Sequence, residues 1–572
     1  MTPFRSPYTL SLAALYVHLR AALDDLVPLQ IQDPSAPDVG ALWSPGYGMA
    51  DPKLTGHFVT LSAYAVLAAQ RLGDASLDRQ AVLTRAAAAV DSLLVAQHPS
   101  GLIDLLSVNY DSAPDTAFTV QQLCTIFELG RVELAADEDG AHLLAKLELF
   151  IRRTLPGIAT GGFHTPNHRW VMVSAMVQAR HCFPDLAQNA ELEDGIAAYL
   201  AEGIDMDAEG MFIERSIGVY DAVNDRSWLF IAQFGDRPEA VADVARNLAL
   251  NLRLLHADGT AETGLSHRQD YGTRKVPIGL IDSYLVANYL QPTPDFIAAA
   301  HALWQVDATS LETPGWICYG LLKCGDPDPA QPARLPDDYT LWLPDNGIHR
   351  VRHGLLSGSF FRGATRMATV TFGRAELTAI KFSQTYFGQF IGRFRGDEMD
   401  FAEGRLTMVS QGRANPRRPG YELPLGRPVP HAQWTDALDQ RPLRWLPHAV
   451  SQLVVDEAAD QWGSGFDLHL RTVEGTAGVT AQLAFDFAPG GIWETAETRT
   501  QPQAGQVIFL QQGFGSMRYG NDVIRLGPGA AAHGTWQMRD AEPAPDHVRV
   551  LVTFLLPVDY SFSLRGYRGL SR

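Results

Sequence analysis

The sequence predicts an α+β chain in two parts, helical hairpins over residues 1–335 and an antiparallel β-sandwich over residues 336–572. Three observations predict it. Through the first part, apolar residues recur at i, i+3, i+4 and i+7. Through much of the second they alternate with a period of two. Between the parts, the proline-rich stretch 326–345 (DPDPAQPARLPDDYTLWLPD) breaks the helical pattern and marks the boundary.

The opening segment, MTPFRSPYTLSLAALYVHLRAALDDL, reads as an amphipathic first helix rather than a signal peptide. Tyr16, His18 and Arg20 interrupt its apolar run, and no small-residue cleavage site follows. On this reading a cytoplasmic location is the default, with a periplasmic one open. Helices follow over 57–71, 78–97, 115–130, 137–153, 168–182, 188–202, 220–234, 237–256 and 278–306. Stacked hairpins of this kind form an open solenoid or close into an (α/α) toroid. The lack of a fixed-length repeat weakens the solenoid and favours an incomplete toroid. In the second part, strands are expected over 354–362, 366–373, 448–455, 466–471, 479–487, 506–510, 522–526 and 547–557. Gly, Pro and Asn punctuate them, which favours a sandwich over an α/β arrangement.

Bulk properties exclude several classes. At 572 residues the chain exceeds one compact core. A formal net charge of −18 argues against a general binder of nucleic acid or anionic membrane, which needs a positive field. No segment has the charge-free length of a membrane span. Cys124, Cys182, Cys318 and Cys324 form no CxxC pair and read as reduced, buried thiols.

Four polar clusters interrupt the helical part, each at a junction between helices. NYDSAPDTAF (109–118) offers Asn109 and places Asp115 as an N-cap. GGFHTPNHRW (161–170) places Asn167 at an N-cap and His168 in the first turn. Capping explains Asn167 but neither His168 nor Arg169, because positive charge there opposes the helix dipole. ERSIGVYDAVND (214–225) gathers Glu214, Arg215, Ser216, Tyr220, Asn224 and Asp225 around one turn. LSHRQDYGTRK (265–275) holds His267, Arg268, Gln269 and Asp270, as a solvated loop or as part of a site. In a toroid alternate junctions converge on one end, where these groups would line a cleft suited to a sugar acid. Beyond the boundary, GIHRVRHG (347–354) carries His349 and His353. Arg393, Arg395, Arg413, Arg417 and Arg418 then concentrate positive charge, either as solvated loops or to bind an anionic polymer. DMDAEG (205–210) lacks the later ligand positions of a Ca²⁺ loop and reads as a β-turn.

With N-H-R-W at 167–170 opening a helix, E-R-S-x-G-x-Y at 214–220 one hairpin later, and helices preceding strands, the chain resembles the heparinase II/III-like polysaccharide lyases, toroid-type alginate lyases included. The resemblance implies a β-eliminating lyase acting on an anionic, uronate-containing polysaccharide or oligosaccharide. It implies that Asn167 and His168 neutralise the uronate carboxylate. It makes Tyr220 the acid–base group, aided by a β-part histidine, His349 first and His353 second. Asn109, Arg169, Arg215, Asn224, His267, Arg268, Gln269, His353, Arg393 and Arg395 are then candidate substrate contacts, with Arg215 placing positive charge beside the tyrosine. The implied mechanism needs no cofactor. It leaves room for a structural divalent metal in the β part, for which no ligand trio is visible, and a homodimer stays open. The rival readings are a toroid glycoside hydrolase with facing carboxylates among Asp115, Glu214 and Asp225, a uronate epimerase, and a non-catalytic carbohydrate-binding protein.

Overall fold

The computed structural model describes residues 9–307, 314–328, 335–385, 392–411, 420–445, 449–538 and 541–569. Backbone contacts divide the chain into two compact units, Met1–Leu255 with Gly259–Leu335, and Pro336–Arg572 with His256–Asp258.

The first unit is helical: α1 Leu12–Leu26, α2 Pro52–Leu72, α3 Arg79–Ala96, α4 Ala113–Leu134, α5 Glu138–Thr160, α6 Pro166–Cys182, α7 Ala190–Ala201, α8 Tyr220–Phe234, α9 Ala240–Leu252, α10 Ile281–Leu290, α11 Pro294–Asp307 and α12 Gly315–Cys324. Local chemistry sets their ends. The Asp51 carboxylate accepts the N–H groups of Lys53 and Leu54 at the start of α2, whose end is closed by Gly73 in the left-handed conformation. Asp78, Asp137 and Asn189 cap α3, α5 and α7 in the same manner. The even-numbered helices pack in sequence, α2 on α4, then α6, α8, α10 and α12, and α12 returns to α2. Their hairpin partners α3, α5, α9 and α11 lie against α2, α4, α8 and α10. Helix α6 shows why this inner position suits the sequence: it is buried continuously from Trp170 to Ala179, mostly apolar, with Ser174 and Gln178 hydrogen-bonded to Gln121 of α4.

Three expectations are corrected here. The 278–306 segment is two helices, because Pro292 and Pro294 cannot continue the first. Helix α12 lies where no helix was expected. Two short antiparallel pairs, Trp43–Ser44 with Met49–Ala50 and Ile103–Leu105 with Asn109–Ser112, precede α2 and α4, so Asn109 sits in a strand and not a loop. Among the described residues, no helix is long and apolar enough to cross a membrane.

The second unit holds two large sheets. One runs in the order Glu398–Ala402, Arg405–Ser410, Val450–Asp460, Gly463–Glu474, Asp559–Arg568, Asp522–Gly527, Gly515–Tyr519, Ile492–Glu494 and Arg499–Thr500. The other runs Val507–Phe509, Val548–Leu555, Thr480–Phe487, Ala375–Gln384, Ala368–Phe372, Leu356–Phe361, Ile348–His353 and Asp338–Leu343. All pairings are antiparallel except Val507–Phe509 with Val548–Leu555. Side chains from both sheets, among them Val351, Phe360, Phe466, Leu468, Phe485 and Phe562, share one core. Each strand expected from alternation overlaps an observed one. Asp338–Leu343 falls inside the boundary stretch, where prolines mask its alternation, and Ile348–His353 was not expected as a strand. Arg413, Arg417 and Arg418 lie outside the described residues.

Gly358 marks where the two sheets approach. A Cβ there would stand 2.3 Å from Cζ of Phe466, whose ring also packs edge-on against Phe360. Gly358→Val is therefore expected to destabilise the protein by about 1–3 kcal/mol, read as a lower urea midpoint at unchanged slope.

Candidate active site

The S-x-G-x-Y motif has a local reason for each fixed position. Ser216 Oγ accepts the Tyr220 N–H at 3.2 Å, which opens α8 at the tyrosine. The same hydroxyl donates to Asp270 Oδ1 at 2.9 Å, and the Gly218 N–H donates to Asp270 Oδ2 at 3.1 Å. A Cβ on Gly218 would stand 2.8 Å from that oxygen, so glycine is what lets the Asp270 loop come so close. Ser266 Oγ also donates to Asp270, at 2.5 Å. The 265–275 segment is thus an anchored structural loop with Asp270 buried, not a solvated one.

Glu214 precedes this motif, with Arg215 in the left-handed conformation (φ 53°) turning the chain between Glu214 and Ser216. The Asn167 side-chain amide donates to Glu214 Oε1 at 2.8 Å, and Arg268 Nε lies 3.3 Å from the same oxygen. The Arg268 guanidinium stands 4.5 Å from the Tyr220 ring centroid. Arg268 therefore brings positive charge to the tyrosine. Burial raises the Glu214 carboxyl, while Asn167 and Arg268 pull the other way.

Asn167 and His168 do not cap α6. Thr165 holds the N-cap position and Pro166 the first helical one, leaving Asn167 and His168 in the first turn with both side chains buried. Burial, reinforced by the charge of His164, depresses the His168 imidazole to about 4, so it is neutral at neutral pH. Its ring meets His164 at 4.6 Å and Phe118 at 6.1 Å. His168 Nδ1, Asn167 Oδ1 and Glu214 Oε2 are buried with no hydrogen-bond partner in the protein. Beside them, the N-cap of α4 is Ser112 rather than Asp115. Asp115 accepts from Asn109 Nδ2 at 2.7 Å and Ser112 Oγ at 2.6 Å, and it lies 3.7 Å from Lys53 Nζ.

Contacts thus join the junctions before α2, α4, α6 and α8 and the Asp270 loop into one neighbourhood containing Asn109, Asn167, His168, Tyr220 and Arg268. Other expected residues stand apart from it. Arg169 is held by Glu202 at 2.6 Å and Asp205 at 3.2 Å, and it covers the Trp170 ring. Asn224, fully buried within α8, is the exception: it reaches the Glu214 carboxyl and helps to lower it. His267 and Gln269 are exposed on the anchored loop, with the His267 N–H donating to the Glu214 carbonyl. Arg215 is half-buried and its charge disfavours protonation of His267.

The remaining candidates belong to the second unit. His349 is buried against Phe401 and Phe360 with neither ring nitrogen hydrogen-bonded, and burial depresses it to about 4. His353 lies 2.5 Å from Asp338 Oδ1 and 2.8 Å from Glu457 Oε2, and these carboxylates raise it against the effect of burial. Arg393 pairs with Glu542 at 3.6 Å, and Arg395 donates to the Gly363 carbonyl. Among the described residues, no three His, Cys, Asp or Glu side chains group to hold a metal.

Sequence reasoning missed the supporting residues. Lys53, Ser112 and His164 were not considered, and Glu214 was weighed only as a hydrolytic carboxylate. Asp221 was missed as well. On α8, Asp221 and Asp225 are buried with none of their four carboxylate oxygens hydrogen-bonded. Burial pushes the Asp221 carboxyl up to about 7, and Asn247 and Asn251 oppose the shift without an aligned hydrogen bond. Asp221 therefore keeps its proton in the folded protein across a range where the unfolded chain has lost it. Stability attributable to it is full below pH ~4 and falls as pH rises toward about 7, at most on the order of 1.4 kcal/mol per pH unit. Asp221→Asn should remove that slope, so its urea-unfolding advantage over wild type grows from about pH 5 to about pH 8. An advantage independent of pH would contradict the assignment.

No family model matches the chain, and no curated protein matches it. Solved structures do. A heparinase III aligns over 96% of this chain and 84% of its own, at 12% identity and a TM-score of 0.53. A second heparinase III structure aligns over 99% and 93%, at 8% identity and a TM-score of 0.50. A chondroitin AC lyase of Streptomyces coelicolor A3 aligns over 100% and 81%, at 14% identity, with a TM-score of 0.46 that is too low to add to the argument. At these identities the likeness concerns the fold, and it runs through both units. The chain has the two-part α+β fold of the heparinase-type polysaccharide lyases.

Proposed function

We propose that this protein is a polysaccharide lyase that cleaves a uronate-containing chain by β-elimination at Tyr220. The observation that carries the reading is the shared Glu214 carboxylate, which orients Asn167 and brings Arg268 over the tyrosine ring. In this reading the packing order of the even-numbered helices is that of an (α/α) toroid, the two facing sheets form a β-sandwich, and the helical unit carries the catalytic groups.

The chemistry follows from the residue types. A uronate carboxylate can take up the charge left when the C5 proton departs, but it is already ionised and resists a second negative charge. Donors fixed around it lower that cost. The neutral imidazole of His168, whose Nδ1 has no partner in the protein, supplies one such donor. The Asn167 amide N–H groups go to Glu214 and Thr165, so its open Oδ1 and Glu214 Oε2 would accept from sugar hydroxyls or water while Asn167 fixes the place. The Tyr220 oxygen takes the C5 proton, the C5 electron pair forms the C4–C5 double bond, and the C4–O bond breaks. The departing glycosidic oxygen then receives a proton from an acid, a role the same tyrosine can fill. The Arg268 cation lies where negative charge passes through the phenol.

The hydrolase reading loses ground because its carboxylates are committed elsewhere. Asp225 is fully buried, Asp115 is held by Asn109, Ser112 and Lys53, and Glu214 is held by Asn167 and Arg268. A pair able to flank a glycosidic bond needs access to it. An epimerase would share the proton abstraction and leave the chain intact.

A panel of alginate, hyaluronan, chondroitin and heparan substrates provides the test. The expected result is ultraviolet-absorbing product, from the double bond conjugated to the carboxylate, on at least one polymer. Tyr220→Phe should lower the rate by ~10²–10⁴-fold. New reducing ends without ultraviolet absorbance would overturn the reading.

A further inference from the structure

The second unit holds a cavity that the elimination chemistry does not use, and strand register builds its floor. Val507 stands opposite Arg549 and Arg549 opposite Asp486, so the three form one row across adjacent strands. Their sequence neighbours Val548, Val550, Phe485 and Phe487 belong to the core shared by the sheets, so the row lies on the opposite face. Charges on an outer face ordinarily stay in water. Arg549 and Asp486 are instead 5% and 1% exposed. A cover laid over this face explains the burial: Ala531 pairs with Thr553, and the Gln482 amide donates to the Thr535 carbonyl at 3.2 Å.

Ion pairs fix the floor and the cover together. Arg549 Nε and Nη2 donate to the two oxygens of Asp486 at 2.7 and 2.9 Å. Lys381 bridges onward, 3.2 Å from Asp486 and 2.9 Å from Glu542 in the cover. Glu542 also pairs with Arg393 and accepts from the Thr365 hydroxyl. Burial raises both carboxyls, but these partners outweigh it and hold them below the ordinary carboxylate value, so both are ionised. Three cations thus meet two anions, and a positive charge is left over in a chain whose formal net charge is −18.

Arg549 and Val507 line a cavity of about 160 Å³ whose walls include Trp536, Pro543 and Pro545. With Nε and Nη2 committed to Asp486, Nη1 of Arg549 donates to nothing among the described residues and is left for a ligand. The prolines have a fixed φ and Glu542 is tethered beside them, so this wall is preorganised. Trp536 is 60% exposed and stands at the mouth. Sites for drug-sized ligands enclose roughly 300–1,000 Å³, so this one takes a single ring. We propose that the cavity binds one sugar-acid residue, with its carboxylate on Arg549 and a C–H face of its ring against Trp536. The prolyl rings offer a second apolar surface, and the remaining hydroxyls stay in water. The site shares no residue with the neighbourhood of Tyr220 and goes beyond the elimination reading. Only the choice of a sugar as carrier of the carboxylate rests on that reading.

Fluorine NMR of the full chain labelled with 5-fluorotryptophan reads this site directly, the Trp536 resonance being identified by its absence from Trp536→Phe. D-glucuronate should move that resonance saturably, with a Kd on the order of 1–10 mM. D-glucose, which lacks the carboxylate, and acetate, which lacks the ring, should each bind about tenfold more weakly. Arg549→Lys keeps a charge beside Asp486 but withdraws the Nη1 donor, and it should weaken glucuronate by a similar factor. A Trp536 resonance that glucuronate leaves in place up to about 100 mM overturns the proposal. Equal response to glucose or acetate overturns it too, as does unchanged affinity in Arg549→Lys. Should that variant fail to fold, the glucose and acetate comparisons on the wild-type protein decide. None of these results touches the elimination reading, which ultraviolet-absorbing product judges separately.

Discussion

One carboxylate organises the helical half of this protein. Glu214 is taken out of water and compensated by two groups that the reading places at the reacting sugar, the Asn167 amide and the Arg268 guanidinium. A buried carboxylate of this kind is costly unless its partners are fixed. Its partners come from α6 and from the loop after α9, so the carboxylate ties together chain segments 47 and 54 residues away, and Tyr220 receives Arg268 as a consequence.

That constraint explains the local sequence around it. Arg215 turns the backbone so that Glu214 and Ser216 can each reach a different partner. Ser216 opens α8 and holds Asp270, and Gly218 leaves room for Asp270 to approach. Asp270 in turn anchors the loop that delivers Arg268. The short motif E-R-S-x-G-x-Y is therefore a positioning device in which four of the seven residues act on something other than substrate. The inner helices supply the support, with α6 buried on every side from Trp170 to Ala179 and its Ser174 and Gln178 hydrogen-bonded to Gln121.

Much of the architecture was legible in the sequence because periodicity is local. The 3.6-residue pattern marks most helices, and alternation marks the eight expected strands. What escaped has physical reasons. Asp338–Leu343 hides among prolines, and Ile348–His353 buries His349, Arg350 and Arg352 in an apolar–polar–polar order that lacks the period of two. Asn167 was assigned to a cap because Asn favours that position, whereas Thr165-Pro166 supplies the N-cap and the first turn. The site was half legible. Asn167, His168 and Tyr220 stand out as polar groups near helix starts and Arg268 as one in a loop between helices, but that Arg268 serves the tyrosine depends on a contact across more than forty residues. Arg215 is the nearer choice in sequence, whereas the guanidinium over the tyrosine ring is that of Arg268, 48 residues on. As a residue type Glu214 suits a hydrolase's facing carboxylates, and only its partners in the structure give it a positioning role.

The central claim is that this assembly removes a proton and expels a glycosidic oxygen without adding water. Mass spectrometry of the complete product set from one defined uronate oligosaccharide tests it most directly. The account predicts that product masses sum to the mass of the substrate, with one product carrying the C4–C5 double bond. Products whose masses sum to the substrate plus one water would contradict it, as would a single product of unchanged mass.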